Sequence, residues 1–287
     1  MPTPPEVPLS WSRLDVEQRL GFRGGRYTQV NNLLSALIAA VLTVAFYGAL
    51  WPVRTSVFAR MFTERGPTPY AIAFLSFWAL AILVLKARKL KLQRRALDFV
   101  VVPQNYDFVL SPATADVVVD QIYATVDDPR HFVLFNRIVI ALSNLRNLGR
   151  VADVDDILRS QAEHDDSSTE TSYAVVRGFV WAIPVLGFIG TVLGLSEAIG
   201  AFGSVLQSSE EFGEIKSALQ GVTGGLATAF ETTLEALVAA LFIQLYLTFI
   251  KKSEEEFLDA CSEYCVRHVV NRLRLSVHSE AAAAETA

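Results

Sequence analysis

The hydrophobic residues of the chain are concentrated in four windows that carry almost no charge. Only two charged residues, Glu231 and Glu235, lie within these windows. A helix needs roughly 20 apolar residues to cross about 30 Å of hydrocarbon, so the pattern predicts four transmembrane helices. The windows are Tyr27–Val53 with its core at Asn32–Val53, Gly66–Leu85 with its span at Tyr70–Leu85, Gly178–Ser196, and Val222–Ile250.

Residues 87–172, between the second and third windows, have the mixed composition of a soluble segment. Apolar residues at helical spacing over His131–Asn147 predict one helix, with Gly149 as its C-cap. A second helix is expected over Val151–Glu163, ended by a polar break at His164–Thr171. The segment shows no Gly-rich phosphate loop, nucleophile elbow or paired acids with metal spacing, so a helical bundle is expected.

The chain after Lys252 is predicted to be helical as far as Leu273, with a disordered tip ending in AAAAETA. Cys261 and Cys265 lie one helical turn apart and are expected to be reduced thiols. Together with His268 they do not predict a metal site, because a fourth ligand at suitable spacing is missing.

These patterns predict an all-α polytopic membrane protein with four transmembrane helices and a helical cytoplasmic domain. The predicted divisions are an N-terminal segment (1–31), a transmembrane hairpin (32–86), the cytoplasmic domain (87–172), spans three and four (173–250), and a C-terminal helix with its tip (251–287).

Composition and charge exclude other classes. The chain is 52% hydrophobic, with 25 Lys and Arg against 30 Asp and Glu, which gives a net charge of −5. The uneven distribution of these charges excludes a single soluble globule, a disordered chain and a secreted disulfide scaffold. The first 26 residues contain proline and arginine without a compact apolar core, so they do not resemble a cleaved signal.

The basic residues near the spans predict the topology. Fifteen lie on the side of the termini and of residues 87–172, and four lie on the other side: Arg54, Arg60, Arg65 and Lys216. Basic residues favour the cytoplasmic side. Both termini are therefore expected in the cytoplasm, in a bacterial cytoplasmic (inner) membrane.

The third span carries a stripe of small residues, formed by Gly187, Gly190, Gly194 and Ala198 at intervals of three and four. Such a stripe lets a second helix approach closely in lipid. Pro184 removes one backbone hydrogen bond and is expected to kink the helix. The alternative is that the stripe serves tight packing only.

The fourth span places Thr228, Glu231 and Glu235 on one helical face within a membrane-length window. An ionisable residue at this depth costs roughly 2.5–3.5 kcal/mol, so it normally faces protein or water. A role in an ion pathway and simple bonding between helices are both open. Two further explanations are also open. The helix could be displaced so that the acids lie near the headgroups, or the acids could pair with arginine from a neighbouring chain.

Two threonines are expected to lie at the same depth. Thr191 is eleven residues before Phe202, where span three should end, and Thr233 is eleven residues after Val222, where span four should begin. In antiparallel helices both hydroxyls then lie about 16 Å deep, which predicts one polar layer near the middle of the membrane.

The residues Pro184, Gly187, Gly190-Thr191-Val192 and Gly194 resemble the P-x2-G-x2-G-T-V-x-G signature of the MotA/TolQ/ExbB proton-channel family. The run from Gly225 through Thr233 to Ala240 resembles the last transmembrane helix of that family. The hairpin that precedes a cytoplasmic domain is more similar to the four-span MotA arrangement than to the three-span TolQ and ExbB arrangement.

The resemblance implies a homopentameric ring that surrounds two transmembrane helices of a single-span MotB/TolR/ExbD-like partner. The partner's aspartate would carry protons, with Na⁺ as the alternative ion, and the flow would drive rotation as in a motor stator. Thr191 and Thr233 match polar residues of the pore, whereas Glu231 and Glu235 are additional to the family pattern. Pro184, Gly187, Gly190, Gly194 and Thr228 would serve helix packing and partner binding.

The resemblance implies that the protein transports ions and is not an enzyme. It implies no cofactor and no nucleic-acid partner. Two other functions are open on the sequence alone. One is a membrane-anchored scaffold or signalling adaptor, and the other is a self-sufficient channel that uses Glu231 and Glu235 as its own ring of carboxylates.

Overall fold

The structure, a computed structural model, describes residues 7–22, 24–103, 108–148, 151–208 and 212–273. These residues are nearly all helical and contain no β-strand beyond two isolated bridges, Leu9 to Val126 and Leu110 to Leu273. The all-α class is confirmed for this part of the chain. In chain order the α-helices are α1 (Trp11–Leu14), α2 (Val16–Arg19), α3 (Asn32–Leu50), α4 (Val57–Thr63), α5 (Thr68–Arg94), α6 (Ala115–Thr125), α7 (Val133–Leu148), α8 (Val151–Ser172), α9 (Ala174–Ser208) and α10 (Phe212–His268).

Within the described residues, four helical stretches are long and apolar enough to cross a membrane, as predicted. They are Asn32–Val53, Thr68–Asp98, Asp153–Gly203 and Leu219–Arg272. The first has the predicted limits, whereas the others continue well beyond their apolar windows. The Lys, Arg, Gln and Leu residues that follow the second window are strong helix formers, so the loss of apolar character there does not end the helix.

The predicted break at His164–Thr171 is wrong, because α8 continues through it to Ser172. Two hydroxyl side chains at the end of this helix bond to their own helix instead of interrupting it. Thr171 donates to the Ser167 carbonyl at 2.9 Å, and Ser172 donates to the Thr169 carbonyl at 2.6 Å. Only Tyr173 separates α8 from α9. Gly149 and the C-terminal tip lie outside the described residues.

The chain forms two compact units. The polar unit comprises Met1–Asn31, Leu85–Ser172 and Ile250–Ala287, and the apolar unit comprises Asn32–Val84 and Tyr173–Phe249. Helix α10 contributes its first part to the apolar unit and its last part to the polar unit.

The core of the polar unit is built on α7, whose inward face is buried at the predicted helical spacing. This face packs in one cluster with residues of α6, α8 and the end of α10. Cys261 and Cys265 are free thiols within that cluster. The buried residues of α7 include Leu134, Ile138, Ala141, Leu142 and Leu145.

Asp127 holds the N-terminal segment against the rest of the polar unit. Its carboxylate accepts hydrogen bonds from the backbone N–H groups of Trp11 at 2.8 Å and Ser12 at 3.0 Å, and from the Ser10 and Ser12 hydroxyls. Partial burial favours the protonated acid, but these four donors outweigh it and hold the pKa of Asp127 below its ordinary value. Trp11 also stacks on His131.

Three buried cations of the polar unit each have a carboxylate partner. Lys86 bonds to Glu254 at 3.2 Å, Lys89 to Glu17 at 2.5 Å, and Arg137 to Asp165 at 2.6 Å. All six side chains are 3% exposed or less. Pairing is expected here, since an isolated buried charge is strongly unfavourable.

The apolar unit contains α3, α4, most of α5, α9 and the first part of α10. Aromatic rings join the helices of the hairpin, with Phe46 packed edge-on against Phe62 of α4 and Phe77 of α5. Trp78 donates its indole N–H to the Ser35 hydroxyl at 3.0 Å, and its ring packs on Phe179 of α9. The hairpin is thus packed by large side chains.

Candidate ion-pathway site

Helices α9 and α10 approach each other at the distance of backbone contact. A Cβ atom added at Gly194 would lie 2.5 Å from the Gly225 carbonyl oxygen and 2.7 Å from the Ala229 nitrogen. One added at Gly187 would lie 2.5 Å from the Ala236 Cβ. Gly187 contacts Ala236 and Gly194 contacts Gly225, so residue numbers rise along α9 while they fall along α10 and the two helices are antiparallel. Because an added Cβ atom would clash at both positions, only glycine fits there.

Gly190 extends the same stripe and faces two elements. An added Cβ there would lie 2.8 Å from the Thr232 Cβ of α10 and 3.1 Å from the Thr68 hydroxyl of α5. Pro184 lies within α9, which continues on both sides of it, and a kink at this residue stays a prediction. The small residues named from the sequence are therefore brought together at one helix contact.

Thr191 and Thr233 meet at this contact, and their hydroxyl groups are hydrogen-bonded to each other. Both hydroxyls also lie near the same two carbonyl oxygens. Those of Gly187 and Ala229 are each 3.2 Å from the Thr191 hydroxyl and 3.1 Å from the Thr233 hydroxyl. The two threonines therefore lie at one level of the helix pair, and their depth in a membrane stays a prediction.

Thr228 does not join the threonine pair, because its hydroxyl bonds to the Gly224 carbonyl of its own helix at 3.1 Å. Thr232 similarly donates to the Thr228 carbonyl at 2.8 Å. These bonds satisfy the two hydroxyl groups within α10 and involve no other helix.

Glu231 forms a bidentate ion pair with Arg65, the residue shortly before α5. The Arg65 Nε lies 2.6 Å from one carboxylate oxygen and Nη2 lies 3.1 Å from the other. Both side chains are largely buried, at 16% and 25% exposure. An arginine from a neighbouring chain was one of the partners that the sequence left open for this acid. The structure shows that the partner is an arginine of the same chain.

Glu235 lies one turn beyond Glu231 and has different surroundings. Its side chain reaches an apolar cavity of about 320 Å³ between α3, α4, α5 and α10. Neither carboxyl oxygen has a hydrogen-bond partner within the described part of the chain. The two acids therefore share a helix face but form no joint site.

Sequence reasoning missed Arg65 and Ser76. The sequence pattern predicts only the side of the membrane on which Arg65 lies. It is nevertheless the last basic residue before an apolar window, on the side where span four is expected to begin. Ser76, whose hydroxyl is buried beside the cavity, carries no sequence signal, since a lone serine is common in transmembrane helices.

The fold and this site define an integral membrane protein whose last two apolar helices pack through glycine and share a pair of threonine hydroxyls. The sequence model of the MotA/TolQ/ExbB proton channel family matches residues 136–262, a segment that contains the whole site except Arg65 and the α3–α5 residues. The match confirms the family resemblance of the sequence. Members of this family form oligomeric channels with partner proteins.

The comparisons with curated proteins and with solved structures returned no match.

Proposed function

We propose that this chain is a subunit of a membrane motor or channel driven by the proton motive force. Five copies would surround the transmembrane helices of a single-span partner whose aspartate carries protons, with Na⁺ as the alternative ion. The assembly would convert ion flow into mechanical work in a bacterial cytoplasmic membrane with both termini in the cytoplasm. It would make no covalent bonds in substrates and need no cofactor.

The contact between Thr191 and Thr233 is the observation that carries the proposal. Hydroxyl groups donate and accept hydrogen bonds without the desolvation cost of a charge. A pair of them at a glycine-lined helix contact, inside a segment that matches a proton channel family, gives a carboxyl group of a neighbouring helix a place to exchange hydrogen bonds.

A ring of several copies is supported by the surface of α9 and α10. Several large apolar side chains of these helices are exposed in the single chain, among them Trp181 at 72% and Phe230 at 68%. Exposed apolar area of this kind is typical of surfaces that face lipid or other protein. The four apolar windows contain no aspartate, so the aspartate of the proposed mechanism comes from the partner.

The self-sufficient channel is less well supported. Glu231 is engaged by Arg65, and the cavity beside Glu235 is lined by apolar side chains apart from Ser76. A ring of free carboxylates would need both acids to face a common polar path.

Proton flux into liposomes tests the proposal. The full chain is purified with the single-span protein that accompanies it and reconstituted under a membrane potential. We expect the Thr191→Val, Thr233→Val double variant to lose about tenfold or more of the flux, because both hydroxyls are removed. Replacing the partner's membrane aspartate by asparagine should abolish the flux.

Thr248→Val is the matched control, since the Thr248 hydroxyl lies on α10 and bonds only to the Gln244 carbonyl. This variant should retain the flux. Flux that survives in the double variant, or a chain that purifies as a monomer without any single-span protein, would contradict the motor proposal and favour the scaffold.

A further inference from the structure

The cavity beside Glu235 has the properties of a small-molecule site. Its volume of about 320 Å³ is at the lower end of the range of about 300–1,000 Å³ that ligand sites occupy. Its lining combines one carboxyl group and one hydroxyl group with phenyl rings from three helices. The rings belong to Phe46 of α3, Phe58 and Phe62 of α4, and Phe77 of α5.

Both polar groups of the lining are buried and lack a complement. Glu235 is 9% exposed, and neither of its oxygens, nor the Ser76 hydroxyl, has a partner within the described residues. Buried polar groups are nearly always hydrogen-bonded, and leaving a carboxyl group without a donor is costly. The cavity thus has a carboxyl group and a hydroxyl group at an apolar wall, with no cationic side chain in its lining.

The contrast with Glu231 indicates which donor fits. Glu231 has the guanidinium of Arg65 as its partner, whereas the residues that line the cavity include no Lys, Arg or His. A ligand that brought one positive charge would supply what the protein supplies to Glu231. The phenyl rings would add cation–π attraction and contact with an apolar body.

We propose that this cavity binds a lipophilic amine, a molecule with a single amino group on a small apolar body. Such an amine enters from the lipid without charge. The carboxylic acid proton of Glu235 then moves to the amine nitrogen, which leaves a carboxylate bonded to an ammonium group and changes no other bond. The Ser76 hydroxyl oxygen accepts a second N–H. The proposal does not depend on the ion-transport function.

Two probes with one carbon skeleton test the proposal, 4-phenylbutylamine and 4-phenylbutan-1-ol. Equilibrium dialysis against the full chain in detergent, with protein-free detergent as the blank, measures the binding of each probe. The amine should bind with a Kd about tenfold lower than that of the alcohol, or lower still.

Three variants separate the site from non-specific partitioning, with amine binding measured by equilibrium dialysis. Glu235→Gln should remove the preference for the amine, and Ala239→Phe should abolish binding by filling the cavity while leaving the carboxyl group in place. Glu231→Gln should bind the amine as the native chain does. Equal binding of the amine and the alcohol would overturn the proposal, and so would amine binding that persists in Ala239→Phe, even if Glu235→Gln does not fold.

Discussion

The buried polar groups of the polar unit differ in kind from those at the contact of α9 with α10 in the apolar unit. In the polar unit, the buried polar groups include the basic side chains of Lys86, Lys89 and Arg137, and each forms an ion pair with a carboxylate. In the contact of α9 with α10, the buried polar groups are threonine hydroxyls that bond to each other and to helix carbonyls. The comparison teaches that charge is retained where the chain can supply a counter-charge, and neutral hydroxyls are used where helices must touch.

The largest loss of stability is expected when a buried ion pair of the polar unit is broken. Asp165→Asn leaves the Arg137 guanidinium buried without its counter-charge, so the free energy of unfolding should fall by about 3–5 kcal/mol. Thermal unfolding in detergent measures the change. Replacing both residues, Arg137→Met with Asp165→Leu, should recover most of the loss, because no unpaired charge then remains.

Arg159→Met is the control for this experiment, since Arg159 pairs with Asp155 at the surface with 74% of its side chain exposed. Its effect should stay within about 1 kcal/mol. An Asp165→Asn variant as stable as this control would show that the buried pair does not differ from a surface pair.

A smaller effect is expected at the glycine contact of the apolar unit. Gly194→Ala places a methyl group against the backbone of Gly225 and Ala229, which cannot move aside as a side chain would. Overpacking of this kind costs about 1–3 kcal/mol, again measured by thermal unfolding in detergent.

Gly200→Ala is the matched control on the same helix, because an added Cβ there meets nothing within 4 Å. It should leave stability unchanged or raise it by about 0.5–1 kcal/mol, as alanine favours a helix more than glycine does. Equal effects at the two glycines would contradict the close approach of α9 and α10.

The smallest effect is expected at Asp127, whose carboxylate accepts from uncharged donors in the part of the chain that the structure describes. Because the donors of Trp11 and Ser12 hold its pKa below the ordinary 3.8, the ionised form stabilises the folded state above that value. This stabilisation should be lost as the pH falls from above 3.8 through the lowered pKa. Hydrogen exchange of the Trp11 and Ser12 amides, corrected for intrinsic rates, measures the loss.

The Leu9 amide is an internal control, since it donates to the Thr125 carbonyl, which does not titrate in this range. Its protection should change less than that of Trp11 and Ser12. The Asp127→Asn variant should lack the pH dependence, and a dependence that persists in it would assign the effect to another group.

Regular geometry explains what the sequence predicted correctly. The number of spans follows from the length of the apolar windows, and the meeting of Thr191 with Thr233 follows from a fixed rise per residue in two antiparallel helices. The face of α7 that is buried follows from the 3.6-residue period in the same way.

The remaining features depend on which distant residues meet. The partner of Glu231 is Arg65, 166 positions away, and no periodicity connects them. The predicted break at His164–Thr171 is wrong because Ser and Thr side chains can bond to a helix as well as interrupt it. The cavity beside Glu235 arises from side chains of four helices and has no signature along the chain.

The threonine pair of α9 and α10 has a further property, which concerns symmetry. Two hydroxyl protons are available for the bond between Thr191 and Thr233 and for the two shared carbonyls of Gly187 and Ala229. Either threonine can be the donor to the other, and the second proton then points to a carbonyl. Exchanging the two arrangements requires only rotation of O–H bonds, with no movement of heavy atoms. The hydrogen bonds of the pair therefore have no preferred direction. A proton transfer along the pair must take its direction from the groups on either side of it.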